Sequence, residues 1–259
     1  MSDDELLAPS DLNYIEFNRH SARESGGVVH DEDGLTFFVS GHKFPFGSNG
    51  VMRTDGAIAA GEVIERANAF FAPRSLGFTY CIMRHRDRDI ADALEAGGVG
   101  RFSDSPGMAL EKRLPDRPVG EGAVIERVAD SAGVRAFGRV CGAAYATYGM
   151  PPHIGDAQFA RDSMLLQPHV AAFLARVDGE PAAAAMVMVS HGVAGIYWVG
   201  TTPAARGRGL AEACTRLATN AGFDMGARLA ALQASVMGEP IYLRMGYRII
   251  TRYPWYVVM

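Results

Sequence analysis

The chain has 259 residues, 48% of them hydrophobic, which is enough for one large domain or two of ordinary size. Its formal net charge of −4 at pH 7 offers no general basic surface, so we expect no nucleic-acid partner. The acidic residues at its start lack the apolar segment of a signal peptide, and no apolar run is long enough to span a bilayer, so we expect a cytoplasmic protein without a membrane partner.

Residues 1–115 alternate helical and extended patterns. Pro9 and Ser10 interrupt the first helical segment and mark the expected start of its helix. Asp33 and Gly34 form the expected turn of a β-hairpin. The predicted elements are a helix within 5–25, strands at 28–30, 35–39 and 50–53, a helix at 58–72, a strand at 77–83, a helix at 87–96 and a strand at 107–112.

A segment with two prolines and two glycines, residues 114–122, separates the halves of the chain. We expect residues 1–115 to form one α+β domain, 116–122 to be a linker and 123–259 to form a second domain. The elements predicted in the second half are a strand at 123–128, helices at 129–145 and 156–166, strands at 170–177, 182–189 and 193–200, a helix ending near 223, a strand at 228–234, a short helix at 239–245 and one or more strands within 247–258.

In the second half a predicted strand runs into a helix through the glycine-rich segment Val199–Ala213. Closely spaced glycines at such a junction let backbone N–H groups point outward together, at the positive end of the helix dipole. Arg206 and Arg208 add positive charge and directional donors. This combination predicts a binding site for a diphosphate.

Two common phosphate-binding motifs do not fit this loop. No lysine lies near the segment, which excludes the P-loop pattern, and Glu212 occupies the third glycine position of the dinucleotide fingerprint. The pattern that fits is Gln/Arg-x-x-Gly-x-Gly/Ala, formed by Arg206, Gly207, Arg208, Gly209, Leu210 and Ala211. The loop resembles the acyl-CoA pyrophosphate loop of the GCN5-related N-acetyltransferase (GNAT) superfamily.

The order of elements in residues 123–259 also resembles the GNAT fold, an α+β fold with a mixed sheet flanked by helices. The first half has a similar order, but residues 54–57 stand where the glycine-rich loop would be. We therefore expect two tandem GNAT-like domains with mostly antiparallel central sheets, the first a degenerate domain that has lost CoA binding. The alternative is that the first half is an unrelated α+β domain.

The resemblance implies a set of residues that bind the donor, acetyl-CoA. Backbone N–H groups of residues 206–211 would bind its diphosphate. The strand before the loop would carry a bulge and separate from the next strand, so that Val199, Gly200 and Thr201 pair with pantetheine and polarise the thioester carbonyl. Gly200 fits such a bulge, and the alternative is that it only relieves packing.

The segment Ser235–Tyr247 resembles a further GNAT element, Asn-x-x-Ala-x-x-x-Tyr-x-x-x-Gly-Phe. Tyr242 lies four residues before Gly246, as the tyrosine of the family does, and it would protonate the leaving thiolate of CoA. Ser235 replaces the usual asparagine, so that contact with CoA is expected to be weaker or shifted. The alternative for Tyr242 is a core tyrosine on a short helix.

The implied reaction is direct acyl transfer from acetyl-CoA, without a covalent enzyme intermediate and without a metal. The three cysteines are far apart and odd in number, so we expect reduced core residues, and no His/Cys cluster has metal-ligand spacing. The general base is not evident in the sequence. His153, His191 and Tyr197 are the candidates.

These features predict an acyltransferase that acetylates a primary amine of a small molecule or peptide. The aromatic and proline-rich segments 145–154 and 253–256 would line the acceptor site or, equally, pack in the core. The alternative function is a non-catalytic acyl-CoA-binding module, because one half lacks the loop and no base is evident. The sequence favours neither a monomer nor a homodimer.

Overall fold

A computed structural model describes residues 2–119 and 122–259 of the chain. The helices are α1 (Asp3–Glu24), the single kinked turn α2 (Pro45–Ser48), α3 (Ala60–Phe71), α4 (Arg88–Ala96), α5 (Ser131–Tyr145), α6 (Pro152–Gln158), α7 (Leu210–Asp224) and α8 (Glu239–Met245). Short 3-10 turns lie at Ala72–Arg74, Ala146–Tyr148, Asp162–Met164 and Pro203–Ala205. None of these described helices is long and apolar enough to cross a membrane.

The strands follow the order predicted in both halves of the chain. They are β1 (Val28–Glu32), β2 (Leu35–Val39), β3 (Asn49–Arg53), β4 (Phe78–Cys81), β5 (Arg101–Leu110), β6 (Ala123–Arg127), β7 (Val170–Val177), β8 (Glu180–Ser190), β9 (Val193–Thr201), β10 (Leu229–Gln233) and β11 (Arg248–Val258). The main differences from the sequence prediction are an earlier start of β5 and an earlier, shorter α6.

The first helix begins before Pro9, contrary to the prediction that Pro9 and Ser10 mark its start. The Ser2 N–H donates to Glu5 Oε2 at 2.7 Å, and the Glu5 N–H donates to Ser2 Oγ at 3.4 Å. This capping box satisfies two backbone donors at the helix end. The helix therefore starts at Asp3, and the proline lies inside it.

All of these strands belong to one sheet, in the order β1-β2-β3-β4-β11-β5-β10-β9-β8-β7-β6. The pairs β3–β4 and β9–β10 are parallel, and the others are antiparallel. The expectation of two mostly antiparallel central sheets is therefore corrected to a single mixed sheet. The physical reason is that β5 and β11 have paired neighbours on both sides, so no sheet edge separates the halves.

Strands β5 and β11 cross between the halves of the chain. The first-half strand β5 pairs with β10, and the last strand β11 pairs with β4. The two also pair with each other at the centre of the sheet, with one parallel pair on either side of them. The predicted domain division at 116–122 stays a prediction, and each half of the sheet includes a strand from the other side of that division.

The chain that leads into the predicted linker is fixed to α7, and residues 120 and 121 of the linker lie outside the described residues. The Leu114 N–H donates to Asn220 Oδ1 at 2.9 Å, and Asn220 Nδ2 donates to Leu114 O at 3.0 Å. Arg216 Nη1 donates to Pro115 O at 3.0 Å. The chain that enters the linker thus packs along the helix that follows the glycine-rich loop.

Helices cover both faces of the sheet. Helices α1 and α5 pack on one face, whereas α7 and α8 cover the other face of the second half and α3 and α4 that of the first half. In β8, Ala184 and Met186 join the core under α1 and α5, and Ala185 and Val187 join the core under α7 and α8. Because side chains alternate along a strand, β8 is apolar on both faces and lies at the centre of the second half.

Candidate functional site

The parallel strands β9 and β10 pair over a short distance only. Their ladder runs from Val193 opposite Leu229 to Gly195 opposite Ala231. Strand β9 continues to Thr201, but its described residues beyond Gly195 have no ladder partner on β10. An edge of β9 backbone is therefore left for another molecule to pair with, at the end of the strand that leads into the glycine-rich loop.

A bulge interrupts β9 where it leaves β10. Gly200 pairs with Ala184 and Tyr197 with Met186, so Trp198 and Val199 together face the single residue Ala185 of β8. Trp198 has a positive φ of 49°, a conformation that few residues other than glycine adopt. The bulge therefore lies one residue earlier than a bulge centred on Gly200 would.

Gly200 itself is explained by packing. A Cβ atom added to Gly200 would lie 2.6 Å from the Cβ of Ala144 on α5. Only a residue without a side chain lets the helix and the strand approach this closely. The packing alternative stated for Gly200 is thus the one that the structure favours, while Thr201 continues the ladder opposite Ala183.

The glycine-rich loop has the backbone conformation that an anion site needs. Gly207 and Gly209 have φ values of 79° and 71°, and a Cβ at either position would meet no atom within 4 Å. Gly209 caps α7, and its carbonyl accepts from the Ala213 N–H at 3.0 Å. Since the first N–H groups of a helix have no partner within it, the N–H groups of Leu210 and Ala211 belong to the open end of α7.

The two arginines of the loop lie in different surroundings. Arg206 Nη2 donates to Thr147 Oγ1 at 2.6 Å and to Ala144 O at 3.4 Å, which ties the loop to the end of α5. Arg208 lines a groove of about 320 Å³ beside α7, together with Arg117 of the predicted linker and Glu212. The Arg206 side chain is therefore a support for the loop, and Arg208 is the arginine that faces a groove.

Tyr242 lies on α8 with only 8% of its surface exposed. Its ring packs edge-on against Tyr247, with 5.9 Å between the ring centroids. Burial raises the pKa of the Tyr242 hydroxyl well above its ordinary value, and the neighbouring Tyr148 raises it further. Gly246, at φ 101°, ends the helix four residues later.

Ser235 lies at the start of the turn that leads into α8. Its Oγ accepts from the Gly238 N–H at 3.2 Å and from the Tyr148 hydroxyl at 3.0 Å. Its carbonyl accepts from the Glu239 N–H at 2.9 Å. Ser235 thus fixes the position of α8 and joins it to the turn after α5.

Tyr145, Tyr148 and Trp198 had no individual role predicted from the sequence, and the structure brings them to the same place. The ring centroids of Tyr145 and Trp198 are 5.2 Å apart. Burial raises the pKa of Tyr145 well above its ordinary value, and so do its neighbours Cys141, Tyr242 and Tyr148. The signal in the sequence was the pair of tyrosines at the end of α5, which we interpreted as part of an acceptor segment.

Tyr197, one of the three candidates for the general base, is not placed to act as one. Its hydroxyl donates to Asn13 Oδ1 at 2.6 Å, and its ring stacks on Phe17 with 3.5 Å between the centroids. Burial raises its pKa well above the ordinary value. The tyrosine therefore stays protonated and holds α1 against β9.

The two candidate histidines are both exposed. His191 lies in the turn before β9 begins at Val193, and from Val193 the bulge is a further five residues, or about 16 Å, along the strand. His153 lies on α6 near His42, whose pKa is lowered mainly by burial and also by the neighbouring His153. The structure thus favours neither histidine as the base.

The cysteines are free and buried, as predicted from their spacing. Burial raises the pKa of Cys81 and of Cys214 to about 12, and that of Cys141 also rises well above the ordinary value. Thiols in this state are poor nucleophiles. The described residues hold no cluster of three or more His, Cys, Asp or Glu side chains placed to bind a metal ion.

The first half has a different arrangement where its own parallel strands end. Arg53, the last residue of β3, is almost fully buried, and its Nε donates to Asp87 at 3.0 Å. Its other nitrogens donate to Asp89, Ile58 O and Arg86 O at 2.8–2.9 Å. A buried ion pair thus joins the loop before α3 to the start of α4, beyond the end of the short parallel ladder between β3 and β4.

Comparisons with known proteins bear on this geometry. The family model described as "Acetyltransferase (GNAT) domain" matches residues 111–233, which include β9 and the glycine-rich loop but not Tyr242 or Ser235. No curated protein matches the sequence with significance. The resemblance of the loop to the GNAT superfamily is thereby confirmed for this part of the chain.

Several solved structures have a similar fold. A GCN5-related N-acetyltransferase from Kribbella flavida is 22% identical, with a TM-score of 0.70 over 94% of this chain and 95% of that one. One from Sphaerobacter thermophilus is 15% identical, with a TM-score of 0.60 over 97% and 93%. A tandem GNAT protein from the clavulanic acid biosynthesis pathway is 12% identical, with a TM-score of 0.57 over 86% and 78%. At these identities the likeness concerns the fold alone.

Proposed function

We propose that the protein transfers an acetyl group from acetyl-CoA to a primary amine of a small molecule or peptide; the match of residues 111–233 to the family model "Acetyltransferase (GNAT) domain" supports this proposal. One arrangement carries the proposal: the bulged strand β9 leaves β10 and continues through the glycine-rich loop into the N-terminus of α7. Acetyl-CoA suits both parts of it, since the loop offers N–H groups to a diphosphate and the strand offers them to a thioester.

The loop is the proposed diphosphate site. The N–H groups of residues 206–211 lie at the positive end of the fifteen-residue helix α7, where an anion is stabilised. Gly207 and Gly209 leave the space beside the backbone open. Arg208 adds a positive charge beside the groove, and Arg206 supports the loop from the side of α5.

The bulge is the proposed oxyanion site. Val199 is the second residue of the bulge, and Gly200 and Thr201 continue the strand toward the loop. Their backbone groups on the β10 side have no ladder partner in the described strands, so pantetheine can pair with them. An N–H group fixed by the fold beside the thioester carbonyl stabilises the negative charge that develops there as the amine attacks.

Tyr242 is the proposed donor to the leaving sulfur. Because burial raises its pKa, the phenol is protonated throughout the neutral range and can donate a hydrogen bond to the thiolate. Full proton transfer is unfavourable, because a thiol has a pKa of only about 8.5. Tyr242 therefore stabilises the thiolate, a C–N bond forms as the C–S bond breaks, and the proton that the nitrogen loses ends on sulfur.

A second candidate function is a non-catalytic acyl-CoA-binding module. The observation that favours it is that two candidate bases are exposed histidines and the third is a buried, hydrogen-bonded tyrosine. The amine would then have to enter the site already deprotonated for the transferase to work without a base. Oligomeric state does not separate the two functions.

Release of free thiol from acetyl-CoA separates the two functions. The purified protein is incubated with acetyl-CoA and a panel of amines: spermidine, aminoglycosides, amino acids and peptides. We expect at least one amine to raise thiol release above the hydrolysis measured without amine, and mass spectrometry to find its acetylated product. Binding of acetyl-CoA without turnover of any amine would favour the binding module instead.

A further inference from the structure

The bulge in β9 changes the direction of one large side chain. Along a regular strand, Tyr197 and Trp198 would point to opposite faces of the sheet. Here both pack with the core under α1 and α5, while Val199 packs with the core under α7 and α8. The extra residue of the bulge thus turns the Trp198 indole toward α5, directly beside the proposed thioester site.

The indole of Trp198 is held among aromatic rings. Tyr145 and Phe159 both pack edge-on against it, with centroid distances of 5.2 Å and 5.3 Å. Its Nε1 atom is buried and has no hydrogen-bond partner in the part of the chain that the structure describes. A buried donor without a partner is uncommon in folded proteins, and it sets Trp198 apart from Trp255, whose Nε1 has a partner.

Tyr145 connects this indole to the proposed position of the sulfur. Its ring centroid lies 5.2 Å from that of Trp198 and 6.1 Å from that of Tyr148, and Tyr242 is near enough to raise the pKa of its hydroxyl, which burial raises most. Tyr145 therefore links Trp198 at the bulge to Tyr242 on α8, in a row of three side chains. Beside that row, the contact of Gly200 with Ala144 leaves no space for another group.

We propose that Tyr145 and Trp198 form the end wall of the acyl site and restrict the donor to short acyl groups, acetyl above butyryl and longer chains. This inference rests on the proposed function, because it places the sulfur beside Tyr242. An acyl group that extends from that position meets the two rings. A longer chain would have to displace them from a packed core, and packed cores resist such overfilling.

Calorimetric titration with acyl-CoAs of increasing length tests the wall without knowledge of the amine. The ligands are CoA, acetyl-CoA, butyryl-CoA and hexanoyl-CoA, and the proteins are the wild type, Trp198→Phe and Trp198→Ala. The other tryptophan of the chain supplies a matched control, Trp255→Ala: Trp255 lies on β11 and donates to the Tyr14 hydroxyl of α1, whereas the ring contacts of Trp198 are with Tyr145 and Phe159. Each protein yields the ratio of the Kd for butyryl-CoA to the Kd for acetyl-CoA.

We expect this ratio to be at least about tenfold in the wild type and in Trp255→Ala, since a methylene that does not fit changes binding by roughly that factor or more. Trp198→Ala should reduce the ratio to within about threefold, and Trp198→Phe, which keeps a ring, should lie between them. Tyr145→Ala should act in the same direction.

The outcomes separate this inference from the proposed function. If the wild type binds hexanoyl-CoA as tightly as acetyl-CoA, the inference is overturned while acyl-CoA binding is retained. This test uses the wild type alone and does not depend on whether the variants fold. A ratio that Trp198→Ala leaves unchanged also overturns it. If neither CoA nor any acyl-CoA binds the wild type, the proposed function fails and this inference fails with it.

Discussion

Tyr242 depends on neighbouring residues for its position. Gly238 makes room for its ring, because a Cβ there would lie 2.8 Å from the ring edge. The Tyr242 N–H donates to Gly238 O at 3.1 Å, so the same residue supports both the helix and the side chain. A side chain at Gly238 would displace the ring of Tyr242. Removal of the Tyr242 hydroxyl alone leaves the ring in place and removes only the hydrogen-bond donor.

Tyr242→Phe should therefore lower kcat by at least about tenfold, because the thiolate loses its hydrogen-bond donor. The Kd for acetyl-CoA should stay within about threefold, since the ring remains in place. Steady-state kinetics with the best amine of the panel measures kcat, and calorimetry measures the Kd.

The matched control is Tyr247→Phe, at a tyrosine that follows the end of α8 and packs against Tyr242. The Tyr247 hydroxyl lies 2.7 Å from Thr219 Oγ1, and the residue is as buried as Tyr242. This variant should lose about 1 kcal/mol of stability and keep its kcat. A fully active Tyr242→Phe, or an equal loss of kcat in both variants, would contradict the role given to Tyr242.

Single residues were predictable where a short spacing defines them. The distance from Tyr242 to Gly246 and the run Arg206–Ala211 are local patterns, and the structure places both at helix ends. The position of the bulge was not predictable in this way, because it depends on which β8 residue faces which β9 residue. Trp198 was missed for the same reason, since its direction follows from that register.

The glycine-rich loop is the element whose backbone shape matters most. Gly207 and Gly209 both have positive φ, and Gly209 is the residue that opens α7. A residue with a side chain adopts this conformation at a cost of about 1 kcal/mol or more. Such residues would shift the loop toward other conformations and turn its N–H groups away from the anion.

The double variant Gly207→Ala/Gly209→Ala should weaken acetyl-CoA binding by at least about tenfold, because the N–H groups lose their common direction. Gly179→Ala is the matched control: Gly179 also has a positive φ, 85°, with no atom within 4 Å of a Cβ, but it lies in the turn between β7 and β8. Calorimetry measures both Kd values. If both variants weakened acetyl-CoA binding equally, the loop glycines would affect binding only through the stability of the protein.

Whole elements were predicted well because their signals are local. Hydrophobic periodicity and turn residues gave the order of helices and strands in both halves. The predicted start of α1 was wrong because proline is common in the first turn of a helix, whereas here the capping box of Ser2 and Glu5 begins the helix before Pro9. The short ladder between β9 and β10 had no sequence signal beyond the family resemblance.

At the scale of the molecule, the exchange of β5 and β11 joins the halves into one sheet. Strand β11 comes from the end of the chain, yet both of its neighbours, β4 and β5, come from the first half. Fragment 116–259 would therefore contain β11 without either of its ladder partners. Unpaired strands of this kind are unstable and prone to association.

Fragments 1–115 and 116–259 should be insoluble or unfolded when expressed separately, and should copurify in a 1:1 complex when expressed together. The control is a full-length chain with a protease site in the segment 116–122, which should stay associated after cleavage. Circular dichroism and gel filtration measure both. A fragment 116–259 that folds alone as a monomer and binds acetyl-CoA would contradict the role given to the exchanged strands.

Stability should fall on mild acidification because two histidines, the buried His20 and the half-buried His42, lie between the halves. His20 Nε2 lies 3.0 Å from Met164 O, and His42 Nε2 lies 2.8 Å from Gln158 Oε1. Burial lowers the pKa of both below the ordinary value of about 6.5. In this pH range the unfolded chain binds more protons than the folded chain. The free energy of unfolding is therefore highest above about pH 6.5 and decreases as the pH falls through that value.

Urea unfolding at about pH 7.5 and pH 5.5 measures this difference, on either side of the ordinary histidine pKa. The double variant His20→Gln/His42→Gln should have a smaller difference between the two pH values than the wild type. His30→Gln is the control, because His30 is half exposed on β1. If the double variant kept the full pH dependence, other groups would be responsible.

The exchange of β5 and β11 between the halves could not be predicted from the sequence. The division at 116–122 was inferred from prolines and glycines, which mark turns but carry no information on which strands pair. Pairing of β5 with β10 joins residues more than a hundred positions apart. It depends on which strand edges of the two halves lie next to each other in the folded sheet. A single sequence has no local pattern for such contacts.

We propose that the chain has one acyl-CoA site, in its second half, because the first half has the ion pairs of Arg53 beyond the end of its own parallel ladder. Titration of acetyl-CoA into the wild-type protein, followed by calorimetry, tests it most directly. We predict one molecule bound per chain, with a Kd between about 1 μM and 1 mM. No binding at millimolar ligand, or two molecules bound per chain, would contradict the account.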